Sequence, residues 1–185
     1  GANFKGFDEA AFLALAKGDE GYLFPDTYSF APQVTPQAIL ASMRANFTTK
    51  AASLENEFTV SSHTKKDIIT MASIIEREAA NENEAAVISG ILWKRIRLGI
   101  ALQVDAPPYY LLGKTSAELT ANDLATNSPY NTYVHKGLPP SPIGNPGLSS
   151  IEAALRPQDS AYLYYLHDAK GGVHYASTHE EHVAN

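Results

Sequence analysis

Thr64-Lys65-Lys66-Asp67-Ile68-Ile69-Thr70-Met71-Ala72-Ser73-Ile74-Ile75-Glu76-Arg77-Glu78-Ala79 is the stretch on which the fold turns. Thr64 and Asp67 stand three apart, the spacing of a capping box, in which each side chain satisfies an orphan backbone N–H of the other. The spacing predicts a helix that starts here. On a helical wheel Ile68, Met71, Ala72, Ile75 and Ala79 share one face, and Thr70, Ser73 and Arg77 lie on the polar side. Glu76 falls inside the apolar arc between Ala72 and Ile69, and Glu78 on its other flank between Met71 and Ile74. Apolar surroundings raise a carboxyl pKa, which is how a general acid stays protonated near neutral pH. Residues two apart on a helix do not face each other, so the two are not an acid and nucleophile of one site. Either can instead edge a wide stripe, snorkelling to water or pairing with an Arg. Periodicity alone does not decide.

Working outward, Asn81 with Glu84 repeats the capping signal, and Ala85 to Leu98 follows at helical period through Ile88, Ile91, Leu92 and Ile96 until Gly99. Upstream, residues 36–58 read as helix behind Thr35-Pro36, and residues 7–17 as a short helix stopped at Gly18. Between them Glu20–Phe30 is extended, with a turn at Pro25-Asp26. After residue 100 Pro and Gly cluster, in Ala106-Pro107-Pro108 and through Gly137–Gly147, which excludes regular helix or central strand and predicts ordered surface loop. Ser149-Ser150-Ile151-Glu152 opens another short helix, stopped by Arg156-Pro157. Tyr162–Leu166 and Val173–Ala176 read as a hairpin around Ala169-Lys170-Gly171-Gly172, and Thr178 caps a last turn of helix. The expectation is an α+β fold: a helical half packed with a loop-rich half and a C-terminal β-hairpin, one domain over residues 1–185.

The chain's 14 basic and 20 acidic residues give a net charge of −6, which argues against nucleic acid and against a polybasic membrane anchor. With 0 Cys there is no disulfide, thiolate metal site or thiol nucleophile. No run of apolar residues is long enough to span a bilayer. The start, Gly1-Ala2-Asn3-Phe4, has neither Met nor a signal-peptide layout and is read as a cut, with the native protein extending upstream. His174, His179 and His182 raise a metal hydrolase as one reading, but His179-Glu180-Glu181-His182 has neither zincin spacing; no metal and no cofactor is expected. There is no nucleophile elbow and no phosphate-cradling Gly loop. Tyr109, Tyr110, Tyr130, Tyr133, Asn131, Gln103 and Asn145 crowd the loop-rich half, and aromatic platforms beside neutral amides suit sugars. Ordinary half-buried packing is the better reading for any single Tyr.

Five segments then appear in a fixed order: Glu20–Tyr28 (EGYLFPDTY), Ala72–Glu78 (ASIIERE), Leu102–Asp105 (LQVD), Ser128–Tyr133 (SPYNTY) with Gly137–Pro140 (GLPP), and Asn145–Gly147 (NPG). Together with the Tyr-rich hairpin, His174, Ser177-Thr178 and Glu181-His182, they resemble the endolytic murein transglycosylases, the MltG/YceG-like family, over nearly the whole chain. The resemblance implies a lytic enzyme that cuts the β-1,4 bond from N-acetylmuramic acid to N-acetylglucosamine in peptidoglycan strands and leaves 1,6-anhydromuramoyl ends. It implies Glu76, the first of the Glu-x-Glu pair, as the single catalytic acid and base, with Arg77 or Glu78 fixing the helix against its neighbours. Gln103, Asp105, Tyr130, Asn131, Tyr133 and Asn145 match motif positions and are expected to line the glycan groove. It further implies an upstream membrane helix and LysM-like module, a catalytic domain on the outer face of the cytoplasmic membrane, and peptidoglycan synthases as partners. Departures from the family pattern are Ala106-Pro107-Pro108-Tyr109-Tyr110 after Asp105, Lys94 for the usual Asn, and Ser141 for a common Gly. The alternative is a peptidoglycan-binding module that has lost activity through the altered 106–110 loop.

Overall fold

The capping box forms as spelled in the sequence. In the computed structural model, which describes residues 7–107, 110, 113, 118 and 120–185, Thr64 Oγ1 accepts the Asp67 N–H at 3.1 Å and Asp67 Oδ2 accepts the Thr64 N–H at 3.2 Å. From it runs α4 (Lys65–Glu78). Before it come α1 (Glu9–Ala16) and α2 (Pro36–Ala51), then a 3-10 turn (Ala52–Leu54) and α3 (Glu55–Val60). After it come α5 (Glu82–Arg97), α6 (Ala121–Leu124), α7 (Leu148–Leu155), the antiparallel hairpin β1 (Tyr164–His167) and β2 (Val173–Ala176), and α8 (His179–Ala184). The architecture is mixed, mainly helical with one two-stranded sheet. Among the described residues no helix is long and apolar enough to cross a membrane. Ala106, Pro107 and Tyr110, expected in a loop, are helical, since Pro is tolerated in the first turn of a helix; Pro108 and Tyr109 lie outside the described residues.

The predicted single helix over 36–58 is broken at the 3-10 turn. Leu54 and Phe58 enter the core there beside Phe47 and Ala51, so the apolar period survives while the tighter turn redirects the backbone.

α4 is the axis of the core. Every residue from Ile68 to Ile75 is buried, Thr70 and Ser73 included, so the arc drawn on the helical wheel is not the boundary between core and water. The reason is the Pro-rich segment, which lies over the expected polar side. Ser73 Oγ donates to the Thr70 carbonyl and accepts the Ile143 N–H at 3.0 Å, which docks that segment on the helix. α7 packs against both α4 and α5. α5 also approaches the chain after α7 so closely that a Cβ on Gly90 would stand 1.9 Å from the Gln158 carbonyl oxygen. Trp93 Nε1 donates to the Ala154 carbonyl at 3.0 Å.

Two zippers hold the loops. Ala101 bridges Lys136, Gln103 N–H donates to the Thr132 carbonyl, and Thr132 Oγ1 both accepts from Val104 N–H and donates to its carbonyl. The 101–105 strip is thereby fixed on 132–136. In the second, Asn145 Oδ1 accepts both the Gly21 and Leu23 N–H groups, tying the extended segment after α1 to the Pro-rich loop. Gly21 sits at φ +92, where a Cβ would meet Pro142 at 2.6 Å, so only glycine fits.

Candidate active site

Glu78 is the last residue of α4, and Ala79 leaves the helix with extended backbone. A carboxylate in a last helical turn faces the negative end of the helix dipole, so both Glu76 and Glu78 need partners from elsewhere in the fold. They find different ones.

Glu78 is half-buried in the wall of a cavity of about 410 Å³ whose other walls include Arg95 of α5, Gln103 and Asp105 of the zipped strip, Tyr133, and Tyr164 and Tyr165 of β1. Its Oε2 accepts the Tyr165 hydroxyl at 2.8 Å, and its carboxylate also accepts the Ala106 backbone N–H. Burial pushes the Glu78 pKa above the ordinary carboxyl value and the Asp105 charge adds to this, while the two hydrogen bonds and His167 pull the other way. Tyr165 is pushed well above its ordinary pKa by burial and by the Glu78 charge, so its hydroxyl stays a donor. Tyr133 donates to Asp105 Oδ1 at 2.5 Å, which fixes the second carboxylate of the cavity. His182 stacks on the Tyr164 ring at 5.1 Å, and the Arg95 guanidinium lies over the Tyr164 ring at 5.1 Å.

Glu76 sits elsewhere. Its side chain is exposed, and its Oε2 accepts the Gly147 N–H at 3.0 Å and the Ser150 hydroxyl at 2.6 Å. These are the cap and an early residue of α7, so the carboxylate closes the positive end of that helix. It borders a smaller hollow of about 200 Å³ beside Ser149 and Ser150.

Of the six residues expected in the groove, the fold brings Gln103, Asp105 and Tyr133 together around Glu78. Tyr130 lines a separate cavity of about 400 Å³ with Tyr22 and Tyr110, its hydroxyl 2.6 Å from Ser141 Oγ. Asn131 is buried and used internally: its amide donates to the Leu124 and Thr126 carbonyls, and its Oδ1 accepts the Tyr133 N–H. Asn145 is committed to Gly21 and Leu23. The histidines do not converge either, since His174 Nε2 lies 3.0 Å from Asp168 Oδ2 in the hairpin turn, whereas His179 and His182 border the Glu78 cavity.

A family model described as the YceG-like family matches residues 3–185. The chain belongs to the YceG-like family. It is 37% identical over 164 residues to the endolytic murein transglycosylase of Bacillus subtilis (strain 168), a match covering 88% of this chain and 46% of that protein. It is 32% identical over 172 residues to the endolytic murein transglycosylase of Streptococcus pneumoniae serotype 2 (strain D39), covering 90% of this chain and 31% of that one. A 2.6 Å crystal structure of a yceG-like protein from Listeria monocytogenes superposes with TM-score 0.84 at 35% identity, over 98% of this chain and 66% of the other. The chain thus spans less than half the length of these curated relatives.

Within this YceG-like chain, the cavity residues not anticipated from sequence include Glu78 as a wall residue, Arg95, Tyr164, Tyr165 and His167. Arg95 left a signal: it continues the buried face of α5 through Ile88, Ile91 and Leu92, and a cation on an apolar face needs a partner. Tyr165 left none, because the hairpin's position against α4 is not written in its own pattern. Lys94 also has a place. Its Nζ donates to the Ser160 and Ala161 carbonyls and steadies the approach to β1.

Proposed function

We propose that this chain is the catalytic part of a lytic murein transglycosylase, and that Glu78 rather than Glu76 is its acid and base. The observation that carries the reading is the desolvated Glu78 carboxyl, held by the Tyr165 hydroxyl at 2.8 Å in a cavity shared with Gln103, Asp105 and Tyr133. The relatives' names, endolytic murein transglycosylase, supply the substrate class.

In the proposed reaction, protonated Glu78 gives its proton to the glycosidic oxygen as the bond from the muramoyl C1 breaks, and positive charge develops at C1. The muramoyl C6 oxygen closes on C1, and its proton passes to the Glu78 carboxylate, which restores the acid. One group serves both steps, so a pKa held up toward the working pH is what the chemistry asks of it. The usual second carboxylate of glycosidases is unnecessary because the substrate supplies the nucleophile. Asp105, anchored by Tyr133, shares the cavity wall with Glu78 and pushes its pKa further up. We place the activity on the outer face of the cytoplasmic membrane, beside peptidoglycan synthases, on the resemblance alone.

The test is digestion of uncrosslinked glycan strands followed by mass spectrometry. Anhydromuramoyl ends that disappear with Glu78→Gln are the expected result. Reducing ends would mean hydrolysis by water. Binding without cleavage would favour the inactive peptidoglycan-binding module.

A further inference from the structure

Gln103 is the one non-glycine with positive φ among the described residues, at +53. That conformation is unfavourable for any side chain with a Cβ, and such outliers persist where surrounding structure enforces them. The enforcement is visible. Gln103 N–H is held by the Thr132 carbonyl, and its side-chain Oε1 is gripped by Arg95 Nη2. Arg95 is itself 4% exposed and fully engaged: Nε and Nη2 donate to the Ala101 carbonyl, Nη1 to the Leu163 carbonyl, and the guanidinium lies over the Tyr164 ring. A buried cation thus spans α5, the 101–105 strip and the approach to β1.

The chemistry of this contact fixes which way the amide points. Arginine has only N–H donors, so the Gln103 atom facing it must be the carbonyl oxygen. The usual ambiguity between amide oxygen and nitrogen does not arise here. The Gln103 NH2 therefore faces away from Arg95, on a side chain that is exposed and borders the cavity holding Glu78. Within the fold both acidic residues of that cavity accept, Glu78 from Tyr165 and Ala106 and Asp105 from Tyr133; Gln103 adds a neutral donor of fixed direction.

Resting on the transglycosylase reading, we propose that Gln103 is a specificity residue whose NH2 donates to an acyl carbonyl oxygen of the sugar beside the scissile bond. Arg95 is its positioning residue, acting on the substrate only through Gln103. The carbonyl belongs either to an N-acetyl group or to the lactyl-peptide arm, both of which present the same acceptor.

The experiment compares wild type with Gln103→Gly on intact strands and on de-N-acetylated strands, with Glu78→Gln run in parallel. Glycine accepts positive φ freely, so Gln103→Gly should melt at or above the wild-type temperature while kcat/KM on intact strands falls about ten- to a hundredfold, the effect of one well-placed hydrogen bond. A penalty that vanishes on de-N-acetylated strands assigns the acetyl carbonyl, and one that persists there assigns the lactyl carbonyl. In the Gln103→Gly background, Arg95→Lys should add no further loss of kcat/KM, whereas alone it should raise KM. Gln103→Gly within about twofold of wild type overturns the proposal, as does an equal Arg95→Lys loss in both backgrounds. If Glu78→Gln still cleaves, the underlying assignment of the acid has failed instead.

Discussion

Exchange each glutamate of α4 in turn for glutamine, and two opposite phenotypes are expected. Glu76 accepts two hydrogen bonds at the start of α7, from Gly147 N–H at 3.0 Å and Ser150 Oγ at 2.6 Å. Losing a cap-type acceptor costs about 0.5–2 kcal/mol, and losing the charge at the helix N-terminus about 0.3–1 kcal/mol more. The glutamine carbonyl keeps part of this and the site is exposed, so the net is about 1–2 kcal/mol, a Tm lower by about 2–8 °C at this chain length. Cleavage by Glu76→Gln should remain within about threefold.

Glu78→Gln should lose about 10²–10⁴-fold in rate, the share of general acid–base catalysis, with no loss of stability. The sign follows from linkage. Burial raises the folded-state pKa of Glu78 above its ordinary 4.5. Its contribution to stability is therefore full below the unfolded value and is lost as pH rises through the folded value. An amide does not titrate, so the Tm of Glu78→Gln relative to wild type should climb from about pH 4.5 upward. Calorimetric melts between acid and neutral pH, paired with anhydromuramoyl release by mass spectrometry, read both effects. The reasoning is refuted if Glu76→Gln abolishes cleavage with its melting temperature intact while Glu78→Gln still cuts.

Tyr165→Phe removes a hydrogen bond that lowers the Glu78 pKa, so the alkaline limb of the pH–rate profile should move to higher pH; a limb that stays or moves down excludes the contact as catalytic. Asn145→Ala leaves the Gly21 and Leu23 N–H groups without their acceptor, which should cost about 2–3 kcal/mol and lower Tm by about 5–10 °C with KM for strands unchanged. A raised KM at native stability would return Asn145 to the substrate. Gly90→Ala gains helix propensity but drives a Cβ into the Gln158 carbonyl 1.9 Å away, so denaturant melts should show a net loss of about 1–3 kcal/mol.

The local pattern carried the helices well. The boxes at Thr64/Asp67 and Thr178/Glu181 and the cap at Asn81 form where the spacing puts them, because a cap is a contact between residues three apart and needs no tertiary partner. The ordered motifs likewise carry the YceG-like family signature in the sequence itself. Tertiary structure decided the surroundings of the two glutamates. Both stand in the last turn of α4, and a helical wheel ranks them by the apolar residues of their own helix. Their real surroundings come from chain far away: α7 meets Glu76 with its N-terminus, while β1 and the 103–106 strip wall in Glu78. The same holds for the amides. Asn131, Asn145 and Gln103 are equivalent as residue types, but two spend their hydrogen bonds inside the fold and the third is turned outward by a buried arginine eight residues before it. Sequence fixes what a side chain can donate or accept; which partner takes it up depends on packing between segments that the chain separates by scores of residues.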